Sequence, residues 1–265
     1  MTKKYLIYDN LVKGAGIGHS LCSYAYGMEL AQKKNLIYIP NLMTCGHGLG
    51  DNGFLENLLG LPIYFNERKA LLSNAISEVE HIEYKNDEEQ PTIDFLRHKD
   101  KFLDFFKSSQ LAKSKTSLQN SFNISITIRR GDIAIHYPKN HPFRTRLRST
   151  HFYLNALKKI ISDCRLKDFH IHIFTDSRHE YCVDEFGKKQ DYLDVFKEFK
   201  GKININIDNR SKDGVFNAMS TCIYSNIFIG SISGFSDIIC MYRNNKDCYL
   251  PVCNVNRKNE FHKKQ

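Results

Sequence analysis

The sequence predicts an α/β protein whose sheets are mainly parallel. Short apolar runs with strand character alternate with longer segments of helical periodicity along most of the chain. Glycine-rich or serine-rich turns follow several of the strand-like runs. With 265 residues, the chain is long enough for one large domain or two of ordinary size. No apolar run approaches the roughly 18 to 20 residues that span a bilayer.

The N-terminal part begins with a predicted strand over residues 5–8, a glycine-rich loop over 14–18 and a helix from about 20 to 33. The predicted order continues with a strand at 36–39, a helix at 54–59, a short strand near 63, an exposed acidic segment at 77–91 and a helix at 92–106. Residues 108–117 are polar and unpatterned, which predicts a linker. We therefore predict an N-terminal domain, 1–116, and a C-terminal domain, 117–265.

The C-terminal part repeats the strand–helix alternation. Its predicted elements are a strand ending at 128, a basic loop, a helix at 150–161, strands at 170–174 and 203–207, a helix at 213–222, a strand at 227–229 and a helix at 235–242. The last ten residues are basic, and we expect them to fray.

The most informative motif follows the strand that ends at Ile128. This strand runs directly into Arg129, Arg130, Gly131 and Asp132. Guanidinium groups present a rigid fork of donors that suits a diphosphate, and glycine allows a sharp turn. Asp132 can orient one arginine or cap the next segment. The motif predicts a site for a nucleotide or nucleotide-sugar diphosphate; the alternative is a strand end with solvated charges.

Two more strand ends carry polar clusters. One is Thr175-Asp176-Ser177, and the other is residues 230–234, which precede a helix. The carboxyl ends of parallel strands meet at one edge of a sheet, so we expect the three clusters to converge. The helix N-terminus with Ser231 and Ser233 can hold phosphate, and Asp176 can bind a ribose or a base edge.

The glycine-rich loop contains Gly16 and Gly18 and is followed by His19. Its spacing is not G-x-G-x-x-G, so it is weak evidence for a dinucleotide site. Glycines there allow the backbone to approach a ligand. His19 is either a general base or a helix-capping residue.

Composition limits the partners. The net charge of +9 favours an anionic partner, which could be nucleic acid, a membrane surface or a phosphorylated substrate. The eight cysteines form no C-x-x-C pair, which favours free thiols in a reducing compartment and disfavours zinc. The chain has no D-x-D triplet, which argues against a glycosyltransferase that holds its donor through a metal. We expect no cofactor and no metal.

Taken together, the motifs resemble those of the α1,2-/α1,6-/protein O-fucosyltransferase superfamily, most closely its bacterial α1,2 branch. The matching runs are Gly16-Ile17-Gly18-His19, Tyr24-Ala25, Thr127-Ile128-Arg129-Arg130-Gly131-Asp132, Phe152-Tyr153, Thr175-Asp176, Asp213, Met219-Ser220-Thr221-Cys222 and 230–236. They extend over residues 14–242. Two positions depart from the family pattern: Thr127 replaces the usual histidine, and His19 replaces the usual asparagine.

The resemblance implies a GT-B-like fold with two Rossmann-like domains and the active site in the cleft between them. The N-terminal domain would face the acceptor, and the C-terminal domain would bind GDP-fucose. The implied reaction is inverting transfer of fucose from GDP-β-L-fucose to a hydroxyl of a glycan, α1,2-linked, without a metal.

The resemblance also implies residue roles. Arg129 would stabilise the charge that grows on the β-phosphate, while Arg130 would assist it or position Asp132. His19 is the candidate base for the acceptor hydroxyl. The implied donor-binding residues are Gly16, Gly18, Arg130, Asp176, Ser177, Asp213, Ser231, Ser233, Gly234, Phe235 and Ser236.

Three alternatives remain open at this stage. One is a non-catalytic protein of the same fold that binds nucleotide-sugars or glycans, and another is a glycosyltransferase for a different nucleotide-sugar. Nucleic-acid binding ranks last, because the arginines lie at a strand end rather than along an exposed helix. We expect a cytoplasmic protein, with peripheral membrane association through its basic surface as the alternative.

Overall fold

A computed structural model describes most of the chain as two compact units, Met1–Ser114 and Lys115–Gln265. It describes residues 4–9, 16–40, 43, 53–63, 79–83, 98–114, 118, 121–176, 180–208, 211–243, 247–251 and 261–264. No helix in these ranges is both long and apolar enough to cross a membrane. The predicted domain roles, with the acceptor on the first unit and the donor on the second, stay predictions.

The first unit is a parallel sheet with helices. Its described elements are β1 (Tyr5–Asp9), α1 (Ile17–Lys34), β2 (Ile37–Pro40), α2 (Phe54–Leu59), β3 (Val79–Glu83), α3 (Lys99–Ser108) and α4 (Gln110–Lys113). The strand order is β2-β1-β3, and both neighbours run parallel to β1. Helix α1 buries Leu21, Ala25 and Met28 at helical spacing and ends at Asn35, which adopts the left-handed conformation with φ 54°.

Several predictions for this unit are wrong. The first helix begins at Ile17, so Gly18 and His19 lie in its first turn. We had predicted Gly18 in the glycine-rich loop and His19 between this loop and the helix. The acidic segment 77–91, for which we predicted no strand, contains β3, whose backbone pairs with β1. The expected exposure of this segment stays a prediction. Residues 61–63 form no strand. The predicted linker contains α4, which Ser109 caps by accepting the amide N–H of Ala112 at 2.9 Å.

The second unit holds a larger sheet with the predicted strand–helix alternation. Its described elements are β4 (Phe122–Ile128), α5 (Gly131–His136), a 3₁₀ turn (Pro142–Arg146), α6 (Thr150–Asp163), β5 (Phe169–Asp176), α7 (Tyr192–Val195), a 3₁₀ turn (Lys197–Phe199), β6 (Ile203–Asp208), α8 (Lys212–Tyr224), β7 (Ile227–Ile229), α9 (Gly234–Tyr242), β8 (Asp247–Pro251) and β9 (Phe261–Lys264). The strand order is β6-β5-β4-β7-β8-β9. All neighbouring pairs are parallel except β8 and β9.

Two predictions for the second unit are wrong. Where we expected only a basic loop after Asp132, the backbone first forms α5. At the C-terminus, residues 261–264 do not fray but pair with β8 as an antiparallel edge strand. Backbone pairing with a neighbouring strand stabilises this segment, and a basic composition does not oppose such pairing at a sheet edge.

The core of the second unit lies between the sheet and its helices. Alternate residues of the central strands, such as Ile126 and Ile173, are fully buried together with Tyr153 and Leu157 of α6. Chain order runs outward from β4 through β5 to β6 and then returns to the other side of β4 with β7. This reversal creates a topological switch point between β4 and β7, which is where ligands bind in open α/β sheets.

Candidate functional site

The candidate site lies at the carboxyl ends of β4, β5 and β7. Residue Ile128 of β4 is paired with Thr175 of β5, and Ile126 is paired with Ile229 of β7. The double-arginine motif, Arg129 and Arg130, follows β4, and Asp176 is the last residue of β5. The serine loop, residues 230–233, follows β7. The sheet therefore brings the three predicted clusters to one edge, on both sides of the switch point.

Arg129 is the first residue beyond β4, and its side chain is half-buried. Its Nε atom is shielded from solvent and has no hydrogen-bond partner among the residues that the structure describes. A buried guanidinium N–H without a partner is costly, because it has lost water and gained nothing in return. An anion bound at this edge of the sheet would satisfy it, so Arg129 is available to a ligand.

Arg130, the next residue, is completely buried and engaged by the protein itself. Its Nε donates to the carbonyl of Val183 at 3.0 Å. Its Nη1 donates to the carbonyls of Arg129 and Arg148, both at 2.9 Å, and its Nη2 donates to the hydroxyl of Thr150 at 3.0 Å. These bonds occupy four of its five N–H groups. The structure gives Arg130 a role in holding three loops together. Its predicted contact with the donor stays a prediction.

The turn after the arginines depends on Gly131 and Asp176. Gly131 has a φ of +39°, and a Cβ atom there would overlap Oδ2 of Asp176. The other carboxylate oxygen of Asp176 accepts the backbone N–H of Arg130 at 2.6 Å. Glycine is therefore required by both the conformation and the close approach of the carboxylate. Asp176 therefore stabilises the turn on which Arg129 sits. Its predicted guanine or ribose contact stays a prediction.

Four hydroxyl groups form a connected cluster between β4 and α9. Thr127 Oγ1 is 3.1 Å from Ser236 Oγ, and the amide N–H of Ser231 donates to both. The hydroxyl of Ser233 is within 3.1 Å of the hydroxyls of Ser231 and Ser236. The position where the resembled family has histidine thus carries a hydroxyl that joins the central strand to the serine loop.

The serine loop leads into the N-terminus of α9. Ser233 caps this helix by accepting the amide N–H of Ser236 at 3.2 Å. Gly234 and Phe235, which are half-buried, form the first turn. Free N–H groups and the helix dipole at such an end favour an anion. The cap and the hydroxyl cluster order this end of the helix, at the same edge of the sheet as Arg129.

For three other predicted site residues, the structure gives little information about a role. Asp213 is exposed in the first turn of α8, which Ser211 caps. Ser177 lies outside the described residues. Asp132 belongs to α5 by its backbone, but its side chain is not among those described. The roles of all three stay predictions.

The predicted residues of the first unit lie at the start of α1. Gly16 is the N-cap, and a Cβ atom added to it would meet no atom of the described residues within 4 Å. His19 is half-buried, and its Nε2 has no hydrogen-bond partner among the described residues. Burial lowers the pKa of His19 below its ordinary value of 6.5. The imidazole is therefore neutral at pH 7 and able to accept a proton.

Sequence reasoning missed the residues that hold the double-arginine turn in place. Thr150 accepts from Arg130 and donates to Gln190 Oε1. Tyr153 is fully buried, and this burial raises its pKa to about 12, although Arg130 opposes the shift. The Tyr153 hydroxyl has no hydrogen-bond partner among the described residues. The Phe152-Tyr153 motif, close to Thr150 in the sequence, was the available signal. In the described part of the chain, no group of three or more His, Cys, Asp or Glu side chains could hold a metal.

Comparison with known proteins gives a fold but no sequence family. No protein-family model and no curated protein sequence matches the chain. Among solved structures, NodZ alpha-1,6-fucosyltransferase soaked with GDP-fucose is similar, with a TM-score of 0.52 and 11% identity, over 100% of this chain and 99% of that chain. NodZ co-crystallised with GDP gives a TM-score of 0.50 at 11% identity and the same coverage. A mutant of Arabidopsis thaliana FUT1 in complex with GDP is more distant, with a TM-score of 0.48 at 9% identity, over 97% of this chain and 72% of that chain.

The likeness to the two NodZ structures extends over both units of the chain. It confirms the predicted α/β class with parallel sheets and a GT-B-like, Rossmann-like fold. At this level of identity it shows the fold alone, and function has to be argued from the site.

Proposed function

We propose that the protein is an inverting glycosyltransferase that moves fucose from GDP-β-L-fucose to a hydroxyl of a glycan acceptor. The observation that carries the proposal is the half-buried Arg129, whose Nε has no described partner, at the switch point of the sheet. The fold supports it, because one NodZ structure of the same fold was soaked with GDP-fucose and another was crystallised with GDP. The fucosyltransferase motifs of the sequence add independent support for the sugar.

The reaction defines what the site has to do. The acceptor oxygen forms a bond to C1 of fucose on the face opposite the diphosphate, while the bond from C1 to the β-phosphate oxygen breaks. The acceptor proton goes to a base, and GDP leaves with one more negative charge on its β-phosphate. Transition-state stabilisation therefore depends on donors that are oriented toward this oxygen before the bond breaks.

Arg129 is the proposed source of that stabilisation. Its turn is fixed from two sides, by the Asp176 carboxylate and by the buried Arg130 guanidinium. A preorganised donor costs no reorganisation when the charge develops. The N-terminus of α9, with Ser231 and Ser233, would hold the rest of the diphosphate. No metal is needed if these groups supply the charge, and a metal-independent reaction is part of the proposal.

His19 is the proposed base for the acceptor hydroxyl. Its lowered pKa keeps the imidazole neutral, and its Nε2, which has no partner in the described part of the chain, can take a proton. The linkage is proposed as α1,2 from the sequence motifs. The NodZ enzymes are named for α-1,6 transfer, so product analysis has to distinguish the two linkages.

The test is turnover with GDP-fucose in the presence of EDTA. Release of GDP is followed with a panel of galactose-terminated glycans, and the linkage of any product is determined by NMR. We expect glycan-dependent GDP release by the wild type and a loss of about 10²-fold or more in kcat for Arg129→Ala. Arg165→Ala is a matched control, because Arg165 is exposed next to the start of β5, at the opposite edge of the sheet.

The outcomes separate the alternatives. Binding of GDP-fucose without turnover on any glycan would support the non-catalytic reading and contradict the proposal. Turnover that EDTA abolishes would contradict the metal-free mechanism. A product with another linkage would correct the linkage and leave fucosyl transfer in place.

A further inference from the structure

A cluster of aromatic rings follows the double-arginine turn in the second unit. The rings of Tyr137, His141 and Phe143 contact one another, with centroids 4.3 Å, 5.0 Å and 5.6 Å apart. Two cations cover rings at this surface: Arg146 lies 4.7 Å from the Phe143 ring, and Lys139 lies 5.6 Å from that of Phe186. We call this surface the aromatic platform; it consists of Tyr137, Lys139, His141, Phe143, Arg146 and Phe186.

The platform is held rigidly by contacts between its two segments. Arg144 Nη1 donates to the carbonyl of Ala134 at 3.2 Å and to that of Glu185 at 2.7 Å. Gly187 has a φ of +81°, and a Cβ atom there would lie 2.7 Å from the Ala134 carbonyl oxygen. The Asp184 carboxylate accepts the amide N–H groups of Phe186 and Lys188 at 2.8 and 2.9 Å. The rings therefore stand in fixed positions before any ligand arrives.

Folding alone does not account for the exposed rings. Phe143 is 41% exposed and Phe186 is 53% exposed. Full burial of such a side chain would contribute about 1.5–3 kcal/mol to the stability of the fold. Because Phe143 and Phe186 are partly exposed, the fold gains only part of this free energy. Rings exposed together on a braced surface indicate a binding site.

The charge around the rings favours an acidic ligand. Residues 136–148 contain four Lys or Arg side chains and no carboxylate. Arg144 and Arg148 direct Nη1 to backbone carbonyls, whereas Lys139 and Arg146 are exposed. A carboxylate that reached the platform would find Lys139 and Arg146 beside aromatic faces.

We propose that the aromatic platform binds an acidic oligosaccharide as the acceptor of the reaction. Pyranose rings present apolar C–H faces that stack on aromatic rings, and their carboxylates would pair with Lys139 and Arg146. Helix α5 connects the double-arginine turn to the platform, and its six residues span about 9 Å. A short saccharide bridges that distance. The acceptor role rests on the proposed function, whereas saccharide binding by the platform does not.

The same surface suits nucleic acid less well. The segment that carries Phe186 also contains Glu180, Asp184 and Glu185. A single strand brings one phosphate for about every 3.4 Å and would meet these carboxylates as well as the cations. A saccharide with occasional acidic groups brings fewer negative charges to these carboxylates and so meets less repulsion.

The experiment is a binding measurement with the full chain on an array of defined glycans. The array carries oligosaccharides with uronic or sialic acid beside their neutral counterparts, and a random DNA oligonucleotide is titrated separately. We expect acidic glycans to bind at least about tenfold more tightly than neutral ones. Phe143→Ala or Arg146→Ala should lower the affinity for acidic glycans by about tenfold. Lys159→Ala, an exposed cation on α6, should change nothing. GDP-fucose affinity is measured on every variant and should stay at the wild-type value.

Each outcome bears on a different claim. Suppose that the protein binds GDP-fucose but binds acidic and neutral glycans equally well, or that neither platform variant weakens glycan binding. Either result would overturn this inference and leave the proposed function intact. Platform-dependent binding of acidic glycans without GDP-fucose binding would uphold the binding site and defeat the proposed function. Tighter binding of the oligonucleotide than of any glycan would overturn the inference.

Discussion

The two neighbouring arginines of the motif should respond in opposite ways to the same substitution. Methionine is close to arginine in length but has no donors, so it removes the hydrogen bonds and the charge while keeping most of the packing. Arg130→Met should destabilise the protein, because Arg130 is fully buried and bonded. Arg129→Met should abolish function with little effect on stability, because Arg129 is half-buried and its Nε has no described partner.

The magnitude for Arg130 follows from the acceptors that it would leave behind. Its substitution leaves the carbonyls of Arg129 and Arg148 and the hydroxyl of Thr150 without its donors. The carbonyl of Val183 still accepts from the Tyr192 hydroxyl at 2.9 Å. At about 1 kcal/mol or more for each buried acceptor, the loss is about 3 kcal/mol. For a unit of this size, that corresponds to a fall in Tm of about 6–12 °C. For Arg129→Met we expect less than about 1 kcal/mol.

The assay pairs thermal unfolding with titration of GDP on both variants and the wild type. We expect Arg130→Met to melt early and, below its Tm, to retain GDP binding. Arg129→Met should melt with the wild type and lose affinity for GDP. If Arg130→Met melted at the wild-type temperature but failed to bind GDP, Arg130 would contact the donor directly, and our account of the turn would be refuted.

Three further substitutions test neighbouring contacts. Gly131→Ala forces a Cβ atom into the Asp176 carboxylate at a φ of +39° and should cost about 1–3 kcal/mol in chemical denaturation. Thr127→Val keeps the shape but removes the hydroxyl that pairs with Ser236, so we expect a loss of about 1 kcal/mol and weaker GDP binding by calorimetry. His19→Ala should lower kcat by about 10²-fold. In the wild type, kcat should fall only below pH 6.5, because burial lowers the pKa of His19 and protonation removes the base.

Each of these expectations has a contrary result. Wild-type stability for Gly131→Ala would mean that the turn relaxes freely. GDP affinity unchanged in Thr127→Val would remove the hydroxyl cluster from the donor site. His19→Ala with wild-type kcat and an unchanged acid limb would exclude His19 as the base.

Most of the second unit could be predicted because its strands and helices have strong local signals. The alternation of Ile124, Ile126 and Ile128 predicts β4, and the structure has that strand end where the arginines begin. The serine and glycine residues before α9 likewise mark a helix start, which Ser233 caps. Strands β3, β8 and β9 were not predicted, because their pairing with β1, β7 and β8 depends on distant backbone rather than on an apolar pattern.

The different roles of Arg129 and Arg130 could not be predicted from the sequence. In the sequence, Arg129 and Arg130 are adjacent and chemically identical. Their roles differ because Arg130 is directed into the interior, where carbonyls from residues 18 and 53 positions away accept its N–H groups. Asp176 is a similar case, because its contact with Gly131 follows from the pairing of β4 with β5. Such roles depend on tertiary contacts that local patterns do not record.

The most direct test of the central claim is calorimetric titration with GDP and GDP-fucose in EDTA, on the wild type and on Arg129→Ala. We predict micromolar affinity for both ligands, on the order of −8 kcal/mol, and at least about tenfold weaker binding by the variant. Absence of guanine-nucleotide binding by the wild type, or equal affinity of the variant, would contradict the claim that Arg129 at the switch point binds the diphosphate of GDP-fucose.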